Sequence, residues 1–189
     1  MEILYYSSAF CLILFAILAT FDGVYLHIWK FELFNHPDSK LEHKTHTARA
    51  ILFPLIIWFL FIQQDTASFW IGISFVLLDL FVLAMDAWTE KDSRQASGGL
   101  PRWEYIIHLF SNGFHFAAIV IFVAIRLILN SEGIGLNIET QAAMALEFLN
   151  FIAINLIPGA IIFALLHLAL TARFGIKFWN RNRKRVNCC

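Results

Sequence analysis

The sequence predicts an all-α integral membrane protein, a five-transmembrane-helix bundle with its N-terminus outside and its C-terminus cytosolic. Three observations carry that reading. The mean hydropathy is +0.68, with 59% hydrophobic residues. Long apolar runs occupy residues 4–29, 47–64, 68–88, 105–129 and 141–171, each near the roughly 20 residues that cross about 30 Å of hydrocarbon. Finally, of 14 basic residues, Lys30, Lys40, Lys44, Arg49, Lys91, Arg94, Arg102, Arg173, Lys177, Arg181, Arg183, Lys184 and Arg185 fall on one side of the alternation, and only Arg126 on the other. An excess of Lys and Arg in short connections marks the cytosolic side.

The elements follow in order. The first run begins behind Glu2, where a secretory signal would be basic, and continues to Trp29, too far for a signal's apolar segment; it is expected to remain as the first span. After Pro37, residues 39–42 (SKLE) have the Ser-x-x-Glu form of a capping box, which starts the second helix near residue 40, two turns before lipid. Those turns carry Glu42, His43, His46 and Arg49. The third helix is expected to run past Asp86 to Glu90. Residues 97–103 (SGGLPRW) read as a loop whose Pro101 suits the first turn of the fourth helix, with Glu104 and His108 at its start. The outer connections around residues 64–68 and 130–141 hold no His.

The whole chain, 1–189, is expected to be one membrane domain, so any site must be built by the helices. The expected location is the bacterial inner membrane or an equivalent one, as a multi-pass protein. Residues 172–189 read as a basic cytosolic tail. Its RNRKR stretch (181–185) is better explained as a topology anchor and anionic-lipid contact than as a nucleic-acid site. Cys11, Cys188 and Cys189 give neither a disulfide framework nor a CxxC spacing, although the last pair could be acylated. The 6 Trp and 20 Phe are expected as lipid-facing bulk and interface belts.

Helical spacing turns the polar residues into surfaces. Residues 7 apart are separated by about 20° around an α-helix, and those 4 or 11 apart lie near the same stripe. Glu104, His108 and His115 share a face of the fourth helix, with Asn112 between them. Asp79, Asp86 and Glu90 share a face of the third, and Glu42, His46 and Arg49 a face of the second. Asp22 lies about 10 Å inside the end of the first helix at 1.5 Å per residue. Asp79 and His115 reach a similar depth, while Asp86 and His108 mark a shallower level, joined by His43 or His46. His27, about 140° from Asp22 on an α-helix, reads as interfacial or supporting, His36 as a loop residue, and His167 as either snorkelling or closing the site.

An Asp near the middle of a span costs on the order of 2.5–3.5 kcal/mol unless it faces the interior, pairs or binds a cation. Arg49 alone cannot neutralise Asp22, Asp79, Asp86, Glu90 and Glu104. The expected compensation is divalent metal, in the form of two ions, held by Asp22, His43, His46, Asp79, Asp86, His108 and His115. Imidazole with carboxylate suits zinc, iron or manganese, and the surplus of ligands exceeds one tetrahedral zinc, which favours iron. Glu104, Glu90 and Arg49 are the expected catalytic side chains, the two glutamates at the cytosolic rim.

Residues 42–46 (EHKTH) resemble, over five residues, the His boxes of membrane-bound di-iron desaturases and hydroxylases. The chain lacks the paired HxxHH boxes of those enzymes, and the order Glu-His-x-x-His is not that of a zincin. The expectation is a metal-dependent membrane oxidoreductase that takes a membrane lipid or other apolar small molecule, with an electron-donor protein as partner and no nucleic acid. Zinc-dependent intramembrane hydrolysis is the nearest alternative. A proton or metal-ion transporter is a second, opposed by an outer half holding few ionisable groups besides Arg126 and Glu147. A haem-binding electron carrier is a third, with His115 and His167 or His27 and His108 as axial pairs.

Overall fold

The computed structural model describes residues 1–95, 98–130, 133–136 and 143–186. It is nearly all helical, and five of its helices are long and apolar enough to cross a membrane. Helix α1 spans Glu2–Lys30, its last part, Phe21–Lys30, being π-helical. Two single turns, Leu33–Asn35 and Pro37–Ser39, lead into α2, Lys40–Ile56, which continues as π-helical turns over Ile57–Ile62. Then come α3 (Thr66–Ser93), α4 (Arg102–Arg126), a hairpin of β1 (Leu127–Asn130) and β2 (Gly133–Leu136), α5 (Ala143–Ala169) and α6 (Arg173–Val186). Each apolar run falls for most of its length on one long helix, the fourth ending in β1 at Leu127–Leu129. Ser97, Cys188, Cys189 and much of the connection before α5 lie outside the described residues.

Helix ends depart from expectation for identifiable reasons. Helix α2 starts at Lys40 without the capping box. Ser39 instead donates to the Ser93 carbonyl at 2.9 Å, and Glu42 turns to the Ser93 hydroxyl and the Arg94 guanidinium. The side chains of the Ser-x-x-Glu pattern are thus used to tie α2 to the end of α3. Pro101 precedes α4 as its extended N-cap residue rather than lying in its first turn. Helix α4 stops at Arg126, where Leu127 turns extended and pairs with Leu136. Asp65 caps α3, accepting from the Ser68 amide at 2.9 Å, which satisfies one of the free amides of the first turn.

Helix α1 packs on α4 and α5, and α2 packs on α3 and α5. The end holding the β-hairpin is closed by buried side chains including Leu12, Ile56, Phe61, Phe69, Phe122 and Leu149. Gly72 allows α3 to approach the end of α2, since a Cβ there would sit 2.9 Å from the Leu60 amide nitrogen. Arg126 is spent at this end, donating to the Gln64 carbonyl oxygen at 2.7 Å and to its side-chain oxygen. At the opposite end α6 folds back on the bundle. Asn180 donates to Asn35 at 3.1 Å, Trp179 stacks edge-on to Trp29, and Arg183 pairs with Glu32. Glu32 is held in the left-handed region at φ 48°, a conformation that costs about 1–3 kcal/mol and persists only where partners fix it. Between the two ends, the four helices α1–α4 turn their polar stripes inward.

Candidate metal centre

The π-helical part of α1 sets the site. An i→i+5 ladder turns less per residue than an α-helix, so residues five apart approach one face. His27 therefore swings onto the Asp22 side, its Nε2 3.3 Å from Asp22 Oδ1, instead of lying far around the helix as an α-helical projection places it. His27 is fully buried. The same Nε2 lies 3.9 Å from Glu42 Oε1 of α2 and 3.9 Å from Glu104 Oε1 of α4.

Around this imidazole the other stripes converge. His108 Nε2 approaches Asp22 Oδ1 at 2.9 Å, and its Nδ1 meets Glu90 of α3. His46 Nε2 lies 3.2 Å from Asp86 Oδ2 and 3.9 Å from Glu42 Oε1, while Thr45 donates to Asp86 Oδ1 at 2.5 Å. Two compact groups result, Asp22–His27–His108 and His27–Glu42–His46, each with its potential ligand atoms within 4.8 Å of one another. Each contains two imidazoles and one carboxylate. Both ring nitrogens of His27, Glu42 Oε1 and Glu104 Oε2 are buried without a hydrogen-bond partner, whereas buried polar atoms are ordinarily satisfied.

Arg94 completes the assembly and was not foreseen. It is fully buried at the C-terminus of α3, donating to Glu42 Oε2 at 3.0 Å and to Glu104 Oε1 at 2.5 Å, with its guanidinium over the Phe31 ring. Glu104 is accordingly fully buried, not at the rim. Glu90 stays partly open, with its side chain 14% exposed.

The remaining predicted ligands separate from this layer. Asp79 and His115 form a deeper pair at 3.3 Å, and Arg49 closes it, donating to Asp79 at 3.1 Å and to Asn112 at 2.8 Å. The expected deep level of Asp22, Asp79 and His115 is therefore divided: Asp22 joins the shallower layer through His108, and Asp79 already has a cation. His43 turns away, packing against Phe34 and stacking on His167 with ring centroids 5.4 Å apart. His36 is exposed between the two single turns.

A cavity of about 220 Å³ connects the two polar layers. Asp22, His46, Asp86, Glu90 and His108 stand at one end of it, Arg49, Asp79, Asn112 and His115 deeper in, and Phe15, Ala16, Leu83, Leu156, Ala160 and Phe163 give it apolar walls. Comparison of the chain with protein-family models, with curated proteins and with solved structures finds no match.

Proposed function

We propose that this protein is an integral membrane oxidoreductase with two metal ions, iron by preference, acting on an apolar substrate in the cytosolic half of the bilayer. The observation that carries the reading is the charge and composition of the buried layer. Asp22, Glu42, Asp86, Glu90 and Glu104 supply five carboxylates against the one guanidinium of Arg94. That excess of carboxylate calls for further positive charge, from divalent cations or from protons on the groups themselves, His108 among them with a carboxylate at each ring nitrogen. Such a deficit inside a low-dielectric bundle is prohibitive unless ions or protons fill it. Two His with one carboxylate is also the ligand composition of non-haem iron centres that activate dioxygen, with positions left open. An imidazole nitrogen binds one metal, so His27 would complete one group, and Asp86 or Glu90 would supply the missing donor of the other.

The roles of the residues follow from their positions. Asp22, His108, Glu42 and His46 would hold the ions, and the metals would supply the dioxygen chemistry. Glu90 at His108 Nδ1 would fix that ring's tautomer and direction, as carboxylates behind metal-bound histidines do. Arg94 holds Glu42 and Glu104 in place and prevents mutual repulsion. For a hydroxylation, a substrate C–H, dioxygen, two electrons and two protons give C–OH and water. The electrons would come from a donor protein, and the partly exposed Glu90 is the side chain best placed to pass protons from the aqueous side.

The basic residues gathered beside α6 and the α1–α2 connection support a cytosolic position for this end. A transport path finds no support among the described residues, because the polar layers end at Arg49 and the apolar plug around Phe61 and Phe122 follows. A haem between His27 and His108 is disfavoured because Asp22 Oδ1 lies between their Nε2 atoms. Metal analysis of detergent-purified protein, with Mössbauer or EPR spectra, tests the proposal. About two irons per chain, without a Soret band, are expected. Protein containing no tightly held metal would overturn it, and zinc alone would move the reading to hydrolysis, whose His₂-carboxylate set is the same.

A further inference from the structure

We infer that the cavity takes the hydrocarbon chain of a bilayer lipid, entering sideways through a window between α1 and α5 framed by Thr20, Asn155 and Gly159. This deepens the metal-dependent reading by naming its substrate class, and it rests on that reading only for the chemistry at the end of the cavity. A volume of about 220 Å³ is below the roughly 300–1,000 Å³ that encloses a whole drug-sized ligand. Part of a long molecule fits inside, and the rest must lie outside through an opening.

The opening is visible in the exposure of the cavity's own lining. Four lining residues are exposed, and three of them, Thr20, Asn155 and Gly159, lie on the packed pair α1 and α5, the fourth being Ala87 on α3. All three fall within apolar spans, Asn155 and Gly159 near the middle of α5, so the surface they open onto is the one that would meet lipid. A Cβ added at Gly159 would meet nothing within 4 Å. Pro158 beside it has no amide to offer the Ile154 carbonyl, so this turn of α5 lacks one hydrogen bond of its ladder. The rim's donors turn back partly onto their own helices: Thr20 donates to the Ala16 carbonyl at 2.7 Å, and Asn155 donates to the Phe151 carbonyl at 2.7 Å. Such back-bonding lets hydroxyl and amide groups face hydrocarbon. A chain passing the window meets Ala16, Ala160 and Phe163, and its inner end reaches the layer of Asp22 and His108.

The test uses the full chain in phosphatidylcholine vesicles, with Cys11, Cys188 and Cys189 changed to Ser and Ala50→Cys as reporter. Ala50 is a buried residue of α2 that lines the cavity. N-dodecylmaleimide, which partitions into the bilayer, should label it, whereas a sulfonated methanethiosulfonate reagent confined to water should label it far more slowly. Gly159→Phe, and independently Thr20→Phe, should slow the dodecylmaleimide reaction by about tenfold, the effect of a bulky side chain placed in an entry path. Gly113→Phe on α4, exposed, with open space around it and not itself a lining residue, should leave the rate unchanged. Metal content, measured on the same samples, should not change in any of them. Faster labelling by the aqueous reagent, or no effect of either window substitution in protein that retains its melting temperature, overturns the inference. Window-dependent labelling of protein without metal would leave lipid entry standing and remove only the oxidoreductase reading.

Discussion

His27 Nε2 and Asp22 Oδ1 are 3.3 Å apart although the residues are separated by five positions on one helix. The π-helical ladder makes this pair, and through it His27 belongs to both ligand groups. His27→Ala should therefore remove at least one of the bound ions, and it should do so more completely than His43→Ala, whose ring faces His167 instead. Metal per chain, read by mass spectrometry on both variants, checks the ordering; equal retention would remove His27 from the ligand set.

Arg94 offers a second test because it is the only guanidinium among five carboxylates in its layer of the described residues. Removing one partner of a buried ion pair costs about 3–5 kcal/mol, since the remaining charges stay uncompensated. Arg94→Ala is expected to be destabilised by that order in detergent unfolding, more severely in protein stripped of metal than in loaded protein. Arg94→Lys keeps the charge but cannot reach two carboxylates with a planar fork, so it should fall between. A wild-type melting temperature for metal-free Arg94→Ala would show that Glu42 and Glu104 carry protons there.

The deeper cluster separates neutralisation by a side chain from neutralisation by metal. Asp79 accepts from Arg49 at 3.1 Å and lies 3.3 Å from His115, so its charge is met without an ion. Asp79→Asn should lower stability while leaving bound metal unchanged. Combining it with Arg49→Gln should restore part of the loss, with a coupling energy of about 0.5–3 kcal/mol in a double-mutant cycle. Loss of metal in Asp79→Asn alone would return Asp79 to the ligand set.

These residues also mark how far the sequence was legible. Apolar run length is a direct physical requirement of the bilayer, and all five helices long and apolar enough to cross one were readable from it. The inward stripes on α2, α3 and α4 were readable because those segments keep the α-helical period, which brings Glu42 and His46, Asp79 and Asp86, and His108 and His115 to the interior. Asp22 and His27 could not be joined that way, because the period changes within α1 and no residue type announces a π-helix. Arg94 lies beyond the apolar run, where a basic residue ordinarily anchors topology, and nothing local distinguishes an anchor from a buried counter-ion. The capping pattern at Ser39 failed for a tertiary reason: Glu42 finds a stronger partner in Arg94 than in the start of its own helix.

Topology is open to direct measurement. Reporters fused after Glu2, Asp65 and Gly135 should be outside, and those after Lys40, Ser97 and Arg183 in the cytosol, as the distribution of basic residues requires. Residues 40 and 135 on the same side would end the five-span arrangement and, with it, the proposed cytosolic position of the Asp22–His27–His108 layer.

Glu90 and Glu104 sit on successive helices, α3 and α4, and should respond oppositely to the same isosteric change. Glu104 is fully buried against Arg94, so Glu104→Gln leaves the guanidinium with Glu42 as its remaining carboxylate and should cost stability first. Glu90 contacts His108 Nδ1 and remains partly exposed. Glu90→Gln keeps the shape and a hydrogen-bond acceptor, but a neutral amide orients and polarises the ring less than a carboxylate does. The expected result is near-normal folding with metal affinity lowered about 10- to 100-fold, the usual cost of losing a carboxylate behind a metal-bound histidine. Turnover should fall further than the loss of metal accounts for, because the same residue is the proposed proton entry. Titration with a competing chelator alongside activity at saturating metal separates the two effects. Unchanged affinity and unchanged turnover in Glu90→Gln would leave His108 without a need for its partner and exclude Glu90 from the reaction.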